Sequence, residues 1–126
     1  MAGERILVVE DNEKSMKLFR DVLQATGYQT LEATTGDQAV ELAADHAPDL
    51  VLMDVRLPDI DGVEALNRLR ADELTASIPV LAVTAQAMHG DRKRFLAAGF
   101  DGYISKPVNV VELLGTVRQY CDGRRR

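Results

Sequence analysis

Short apolar runs recur along the chain, and the segments between them have the spacing of amphipathic helices. Four of the runs are short, bounded by charged or turn residues and of the kind expected for buried parallel strands. They are RILVV at 5–9, DLVLM at 49–53, PVLAV at 79–83 and, more weakly, GYIS at 102–105. A fifth segment, YQTLEA at 28–33, alternates apolar and polar residues and predicts an edge strand.

The intervening segments predict helices with recognisable ends. Residues 13–26 carry apolar side chains at spacings of three and four, namely Met16, Phe19, Val22 and Leu23. Gly27, Pro48 and Gly99 are predicted to end the first, second and fourth helices. Three later helix starts have an N-cap candidate followed three residues on by Glu or Gln, and the pairs are Thr35 with Gln38, Asp61 with Glu64, and Asn109 with Glu112. The last helix is predicted to bury Val111, Leu114 and Val117.

Five alternating strand and helix units predict an α/β protein with a parallel sheet covered on both faces, because each parallel connection needs a crossover. In such sheets the ligand site lies beyond the carboxyl ends of the strands. The polar residues expected there are Glu10 and Asp11 after the first strand, Asp54 after the third, Thr84 after the fourth, and Lys106 before Pro107 after the fifth. Their joint occurrence on one side of a sheet predicts a functional site.

The chemistry of this set indicates a metal-assisted phosphoryl site. Three carboxylates brought close together repel one another unless a cation joins them. Ligation by oxygen alone, without a pair of His or Cys residues, suits Mg²⁺ or Mn²⁺ rather than zinc. Lys106 would supply a positive charge and Thr84 a hydrogen bond for an anion on Asp54, and a carboxylate can act as a nucleophile toward phosphorus.

Composition narrows the classes of function that need to be considered. The 126 residues are predicted to form one domain, residues 1–126, without an output domain. No apolar run is long enough to span a membrane and no secretory signal is evident, which predicts a cytoplasmic protein without membrane insertion. The formal net charge of −5 argues against a nucleic acid partner.

The stretches ILVVEDN, LVLMDVRLPDIDG, VLAVTA and YISKP together resemble the receiver domain of bacterial two-component response regulators. The resemblance spans nearly the whole chain. It implies a flavodoxin-like, doubly wound (βα)5 fold with strand order 2-1-3-4-5. It also implies that Asp54 is the phosphoacceptor, that Mg²⁺ is held by Glu10, Asp11, Asp54 and the backbone carbonyl of Arg56, and that Lys106 contacts the phosphoryl group. The Lys106–Pro107 bond is expected to be cis.

The same resemblance implies a switch. Thr84 is the switch hydroxyl, and Tyr103 could turn inward into space that Thr84 vacates, so that the face made by the fourth helix, fifth strand and fifth helix changes shape. Arg56 and Gln86 stand where the family tunes the lifetime of the phosphoryl group. The acidic pair is Glu10-Asp11 rather than Asp-Asp, so the first side chain is one methylene longer.

The stretches EDNEKSMKLFRDVL, VTAQAMHGD and YISKPVNV resemble single-domain cell-division regulators of the DivK type and receivers of hybrid histidine kinases more closely still. The expected partners are therefore a sensor histidine kinase or histidine phosphotransfer protein, and an effector protein at the switch face. The chain is expected to be a signalling protein rather than an enzyme, one that assists only its own phosphorylation and dephosphorylation. The sequence leaves open whether it acts as a stand-alone regulator or as a relay intermediate.

Two other classes of protein share parts of the pattern. A Mg²⁺-dependent phosphohydrolase of the haloacid dehalogenase type also uses a strand-end aspartate, but the residues after Asp54 are Val55, Arg56 and Leu57, without the second aspartate of its DxDxT motif. A flavodoxin-like nucleotide-binding module would need a phosphate loop after the first strand, where EDNEKS has two acids instead. Turnover of a phosphomonoester, or a yellow purified protein, would favour these alternatives.

Overall fold

Five strands alternate with five helices in residues 3–85 and 91–124, which are the residues that the computed structural model describes. No helix within those ranges is both long and apolar enough to cross a bilayer. The elements in chain order are β1 Arg5–Val9, α1 Glu13–Ala25, β2 Gln29–Ala33, α2 Gly36–His46, β3 Leu50–Asp54, α3 Gly62–Ala71, β4 Val80–Thr84, α4 Asp91–Ala98, β5 Gly102–Ser105 and α5 Val110–Arg124.

All pairings in the sheet are parallel, and the strand order is β2-β1-β3-β4-β5. This confirms the predicted doubly wound fold, in which the strand order reverses between β1 and β3. The predicted strand bounds agree to within one residue, and the main difference is that Asp54 is the last residue of β3 rather than the first residue after it. The strands thus end side by side, with Val9 opposite Met53 and Asp54 opposite Val83.

The sheet separates two hydrophobic clusters. Successive residues of a strand point to opposite faces, so each strand contributes to both clusters. On one face α1 and α5 cover the sheet, with Phe19, Leu23 and Leu113 among the fully buried side chains. On the other face α2, α3 and α4 cover it, with Leu66 and Phe95 among the buried side chains. Both faces of the central strands are therefore dry, which explains their uninterrupted apolar sequences.

The predicted buried face of α5 was wrong at two of its three positions. Val111 is 81% exposed and Leu114 is only partly buried, whereas Leu113, Val117 and Cys121 face the sheet and are buried. Residue 111 lies about 200° around the helix from residue 113, because each residue advances an α-helix by about 100°. Of the three predicted positions, only Val117 is fully buried, and the buried set recurs every fourth residue through Cys121.

The predicted N-caps of α2, α3 and α5 are confirmed. The Thr35, Asp61 and Asn109 side chains accept hydrogen bonds from the backbone N–H groups three residues later, at 3.1, 2.8 and 3.0 Å. Asn12, which was not predicted as a cap, does the same at the start of α1. Each cap satisfies an N–H group that has no partner within its helix. Because every helix here starts just after the carboxyl end of a strand, these caps also fix the loops that surround the predicted site.

At the opposite end of the sheet, Arg70 joins three segments. Its guanidinium donates hydrogen bonds to the carbonyls of Ala76 and Ile78 before β4, to the carbonyl of Gly99, and to the Asp101 carboxylate at 2.8 Å. The same Asp101 oxygen accepts the N–H of Val80. The planar fork of an arginine suits such multiple contacts. Arg70 thereby holds the amino ends of β4 and β5 in place.

Candidate functional site

Three of the predicted site residues lie on the same face of the sheet because of strand alternation. Each lies two positions after a residue of the hydrophobic cluster under α1 and α5. Glu10 follows Val8, Asp54 follows Leu52, and Lys106 follows Ile104. Side chains two residues apart in a strand share a face. The sequence therefore directs all three polar groups to one corner, where β1, β3 and β5 end.

Lys106 connects the two carboxylates of this corner. Its Nζ lies 2.6 Å from Oε1 of Glu10 and 3.1 Å from Oδ2 of Asp54. The lysine reaches from the end of β5 past β4, which lies between β5 and β3. Glu10 and Asp54 are 1% and 7% exposed, so the charges are largely withdrawn from solvent. Buried charges of this kind require pairing, and Lys106 pairs with both.

Backbone N–H groups bind the remaining carboxylate oxygens. The N–H of Arg56 donates to Oδ1 of Asp54 at 2.9 Å, and the N–H of Asn12 donates to Oε2 of Glu10 at 3.2 Å. Each carboxylate thus has one oxygen on a backbone donor and the other on Lys106. This arrangement fixes the orientation of both groups.

Burial and the neighbouring charges shift two pKa values. Burial, the largest cause, raises the pKa of Glu10, and the nearby Asp54 carboxylate raises it further. Together they outweigh the hydrogen bonds from Lys106 and Asn12, which lower it. Burial lowers the pKa of Lys106, but the hydrogen bonds and charges of Glu10 and Asp54 together outweigh it and raise the pKa above its ordinary value. Lys106 is therefore a permanent cation at neutral pH, and the corner retains excess negative charge that favours a second cation.

Asp11 completes a carboxylate cluster with Glu10 and Asp54. One oxygen from each residue lies within 4.8 Å of the others, and Asp11 is exposed, which leaves the cluster open to solvent on that side. Three carboxylate oxygens with open coordination positions suit a hard divalent cation such as Mg²⁺, which keeps several water ligands. The residues present therefore fit the predicted metal. The Arg56 peptide adjoins the cluster through its N–H bond to Asp54.

Thr84 and Tyr103 lie on the opposite face of the sheet from Lys106. Thr84 is the last residue of β4, directly after Val83, which is opposite Asp54 in register, and it is 4% exposed. Its carbonyl accepts the N–H of Lys106 at 2.8 Å. Tyr103 is partly buried against the cluster under α2, α3 and α4, with its ring centroid 6.4 Å from that of Phe95. The Lys106–Pro107 peptide bond is cis.

One predicted site residue, Gln86, lies outside the described residues, so its relation to Asp54 stays a prediction. The remaining predicted residues divide into two groups. Glu10, Asp11, Asp54 and Lys106 form one cluster with the Arg56 N–H, and Thr84 and Tyr103 lie on the other side of β4 and β5.

Asp59, which the sequence analysis did not single out, holds the loop that follows Asp54. Its two oxygens accept the backbone N–H groups of Gly36 and Asp37 at the start of α2, at 2.8 and 3.0 Å. These hydrogen bonds, the one from Asp37 foremost, lower the pKa of the Asp59 carboxyl from 3.8 to about 2. The partners are more than 20 residues away in sequence, so no local pattern could have identified them.

We expect Asp59→Ala to lower stability at neutral pH by an amount that disappears in acid. The Asp59 carboxyl has a lower pKa in the folded protein than in the unfolded chain, where it is near 3.8. Its ionised form therefore stabilises the fold fully above that pH, and this contribution is lost as the pH falls through about 2. The urea midpoints of the wild-type and variant proteins should therefore converge over that range. Asp45→Ala, at an exposed aspartate of α2, is the control. A deficit that is the same at neutral pH and at pH 2 would contradict the assignment.

Gly62, the first residue of α3, lies against the end of β3. Its N–H donates to the Val55 carbonyl at 2.8 Å. A Cβ atom at this position would lie 2.8 Å from Cα of Val55 and 2.9 Å from the carbonyl oxygen of Asp54. Both distances are shorter than real Cβ contacts, and both neighbours are backbone atoms that cannot rotate away. Only glycine therefore allows α3 to start so close to the Asp54 peptide.

Comparison with known proteins agrees with this geometry. Residues 6–118 match the family model of the response regulator receiver domain. The chain is 47% identical over 115 residues to the polar-differentiation response regulator DivK of Brucella ovis, covering 91% of this chain and 94% of that protein. The DivK of Brucella anthropi is 46% identical over the same coverage.

Solved structures give the same result. The receiver domain of a sensor histidine kinase from Pseudomonas aeruginosa, with a magnesium ion coordinated in its active site cleft, matches with a TM-score of 0.88 and 37% identity, covering 96% of this chain and 99% of that one. The chemotaxis response regulator CheY4 of Vibrio cholerae matches with a TM-score of 0.88 and 25% identity, covering 94% and 99%. Fold, sequence and relatives agree, and the chain belongs to the response regulator receiver domain family.

Proposed function

We propose that the chain acts as a stand-alone response regulator that accepts a phosphoryl group on Asp54 from a phosphohistidine. The donor is a sensor histidine kinase or a histidine phosphotransfer protein. The observation that carries the proposal is the position of Asp54, a buried carboxylate at the strand-order reversal, 3.1 Å from the Lys106 ammonium and within the carboxylate cluster. Similarity to the DivK proteins supports the single-domain role.

In the proposed reaction an Asp54 carboxylate oxygen attacks phosphorus. The new P–O bond forms as the P–N bond to the donor imidazole breaks, and the nitrogen leaves with the electron pair and takes up a proton. The Arg56 N–H orients Asp54, and Lys106 is positioned to contact the oxygens of the phosphoryl group. Glu10, Asp11, Asp54 and the Arg56 carbonyl would hold Mg²⁺ or Mn²⁺, which when bound neutralises charge on the transferred group.

Signalling would follow from the added charge and acceptor oxygens of the phosphoryl group. In this proposal the Thr84 hydroxyl bonds the phosphoryl group, and Tyr103 turns toward the space that Thr84 leaves. Both residues lie on the same face of adjacent strands. Arg56 and Gln86 would tune how long the phosphoryl group survives.

The proposed effector surface is the face formed by α4, β5 and α5. A groove of about 480 Å³ runs along it, with Leu96 on α4, Tyr103 on β5 and Tyr120 on α5 among its lining residues. A change in the Tyr103 ring would therefore change the shape of this groove directly. The signal would pass by protein contact in the cytoplasm, from the single domain that residues 1–126 are proposed to form.

Phosphodonor labelling tests the function. Incubation with acetyl phosphate and Mg²⁺ should add one acid-stable, base-labile phosphoryl group, and peptide mapping after borohydride trapping should locate it at Asp54. Removal of the metal with EDTA should reduce labelling to background, because the remaining Lys106 charge cannot neutralise both the cluster and the phosphoryl oxygens. Labelling that is unaffected by EDTA, or that maps to another residue, would refute the proposal.

We expect Tyr103→Ala to accept phosphate normally but to transmit no change to α5. Amide hydrogen exchange of β5 and α5 should change on phosphorylation in the wild-type protein, because the ring moves away from Phe95. In Tyr103→Ala the same labelling should leave exchange in these elements unaltered. An identical exchange response in the variant would show that the ring is a fixed core residue.

A relay role is the second candidate. It is favoured by the match to a receiver domain of a sensor histidine kinase, at 37% identity. In that case Asp54 would pass the phosphoryl group to a histidine of a phosphotransfer protein. Phosphotransfer profiling separates the two roles, since a relay intermediate loses its label rapidly to one phosphotransfer protein and a stand-alone regulator does not.

A further inference from the structure

The loop between β3 and α3, residues 55–61, is fastened to the start of α2. The Asp59 carboxylate accepts the backbone N–H groups of Gly36 and Asp37, at 2.8 and 3.0 Å. Ile60 packs beside Gly36, where a Cβ atom would collide with Cγ1 of the isoleucine. Two hydrogen bonds and one apolar contact thus join neighbouring residues of the loop to the same turn of α2.

The carboxylate of Asp59 acts across the fold rather than within one helix. The local N-cap of α2 is Thr35, whose side chain accepts the N–H of Gln38. Asp59 takes the N–H groups of the first two helical residues, which have no partner within the helix. A charged acceptor at a helix start makes strong hydrogen bonds. The two bonds therefore fix the position of the loop as well as the end of the helix.

The segment that leads back from Asp59 to Arg56 is short and stiff. Only Leu57 and Pro58 lie between them. The proline ring fixes its own φ angle and restricts the preceding residue to extended conformations. A displacement of Asp59 therefore moves the Arg56 peptide, because the two intervening residues have little freedom to absorb it.

The Arg56 peptide is the part of the loop that contacts the carboxylate cluster. Its N–H donates to Oδ1 of Asp54 at 2.9 Å. The Arg56 side chain is exposed, so packing of that side chain in the core does not hold the peptide. The position of the peptide depends instead on the end of β3 on one side and on the loop on the other.

We propose that Asp59 is a positioning residue: by holding the loop against α2, it fixes the Arg56 peptide beside Asp54. Without the two hydrogen bonds of Asp59, the Arg56 N–H would spend less time on Oδ1 of Asp54. The Arg56 carbonyl, one of the oxygen ligands proposed for Mg²⁺, would lose its fixed position as well. The inference rests on the proposed function for its effect on the metal, whereas the contact between Arg56 and Asp54 is independent of that function.

Two measurements on Asp59→Ala test this role. Exchange of the Arg56 amide hydrogen is followed by NMR in the metal-free protein, and Mg²⁺ affinity is measured by calorimetric titration with Mg²⁺ alone. The amide should exchange about tenfold faster than in the wild-type protein, and Mg²⁺ should bind about tenfold more weakly, because groups that orient metal ligands contribute on this scale. Neither quantity requires phosphorylation.

Thr35→Ala is the matched control. It removes the N-cap of the same helix but leaves both hydrogen bonds of Asp59 in place. If Asp59 only stabilised α2, the two variants would behave alike. A change confined to Asp59→Ala would support the positioning role. An unchanged value of either quantity in Asp59→Ala, or an equal change in Thr35→Ala, would overturn it.

Urea unfolding checks that each variant is folded. Asp59→Asn, which keeps one acceptor oxygen, replaces Asp59→Ala if the alanine variant does not fold. Phosphodonor labelling of the wild-type protein separates this inference from the proposed function. Faster exchange and weaker Mg²⁺ binding in the Asp59 variant, without labelling of Asp54 in the wild-type protein, would refute the proposed function alone. Labelling of Asp54 with no change in either quantity would refute only the role of Asp59.

Discussion

Asp54→Asn is expected to abolish phosphoryl uptake from both acetyl phosphate and a histidine kinase. The amide has no anionic oxygen to attack phosphorus, and it removes one of the three carboxylates of the cluster. The change is nearly isosteric, so the amide oxygen can still accept the Arg56 N–H. Lys106 keeps its 2.6 Å contact with Glu10 and is not left as an unpaired buried charge. The loss of labelling therefore reports chemistry rather than unfolding.

Labelling measured by intact-protein mass spectrometry should fall to background for Asp54→Asn and remain at the wild-type level for Asp45→Asn. Asp45 is an exposed aspartate of α2 and is the matched control. Circular dichroism should show the same helix content in all three proteins. Retention of a base-labile phosphoryl group by Asp54→Asn would mean that another carboxylate, with Asp11 the first candidate, is the acceptor.

Gly62→Ala is expected to cause the largest loss of stability of any single methyl addition considered, about 1–3 kcal/mol. The new Cβ would meet backbone atoms of Val55 and Asp54 at 2.8 and 2.9 Å, and relief requires α3 to move away from the end of β3. That movement would also lengthen the hydrogen bond that the Gly62 N–H donates to the Val55 carbonyl. Because Asp54 is displaced with its peptide, phosphoryl uptake should slow as well.

Gly115→Ala provides the control for this substitution. Gly115 lies within α5, and a Cβ at that position has no heavy atom within 4 Å. Alanine should therefore stabilise the helix there by about 0.5–1 kcal/mol. Thermal unfolding should thus shift in opposite directions for the two Gly-to-Ala variants. A shift of the same sign in both would show that α3 accommodates the methyl group without moving.

The fold was predictable because its signals are local. Each strand is a short apolar run, each capped helix has its own start residue, and the alternation of the two dictates parallel pairing. The carboxylate cluster was predictable for the same reason, since Glu10 follows β1 and Asp54 ends β3, two strands that the sequence delimits to within one residue. The positions of the strand ends do not determine the distances between the side-chain groups. The sequence therefore did not predict that Lys106 lies closer to Glu10 than to Asp54.

The features that sequence reasoning missed depend on distant partners. Asp59 accepts N–H groups from α2, and Arg70 donates to carbonyls up to 29 residues away. The residues next to Asp59 and Arg70 in the sequence do not reveal these partners. The error in the predicted buried face of α5 has another cause. Val110 and Val111 are both apolar, so the sequence alone did not determine which helical stripe would face the sheet, and packing selected the one through Leu113.

Successive side chains of β5 point to opposite faces of the sheet, and the two faces have different proposed roles. Ile104 packs beneath α5 and leads two positions on to Lys106, whereas Tyr103 packs beneath α4 with Phe95. The proposed phosphoacceptor site and the proposed readout by Tyr103 therefore lie on opposite faces of one sheet. In that case a surface substitution in α4 would change which effector binds without removing the contacts of Lys106 with Glu10 and Asp54.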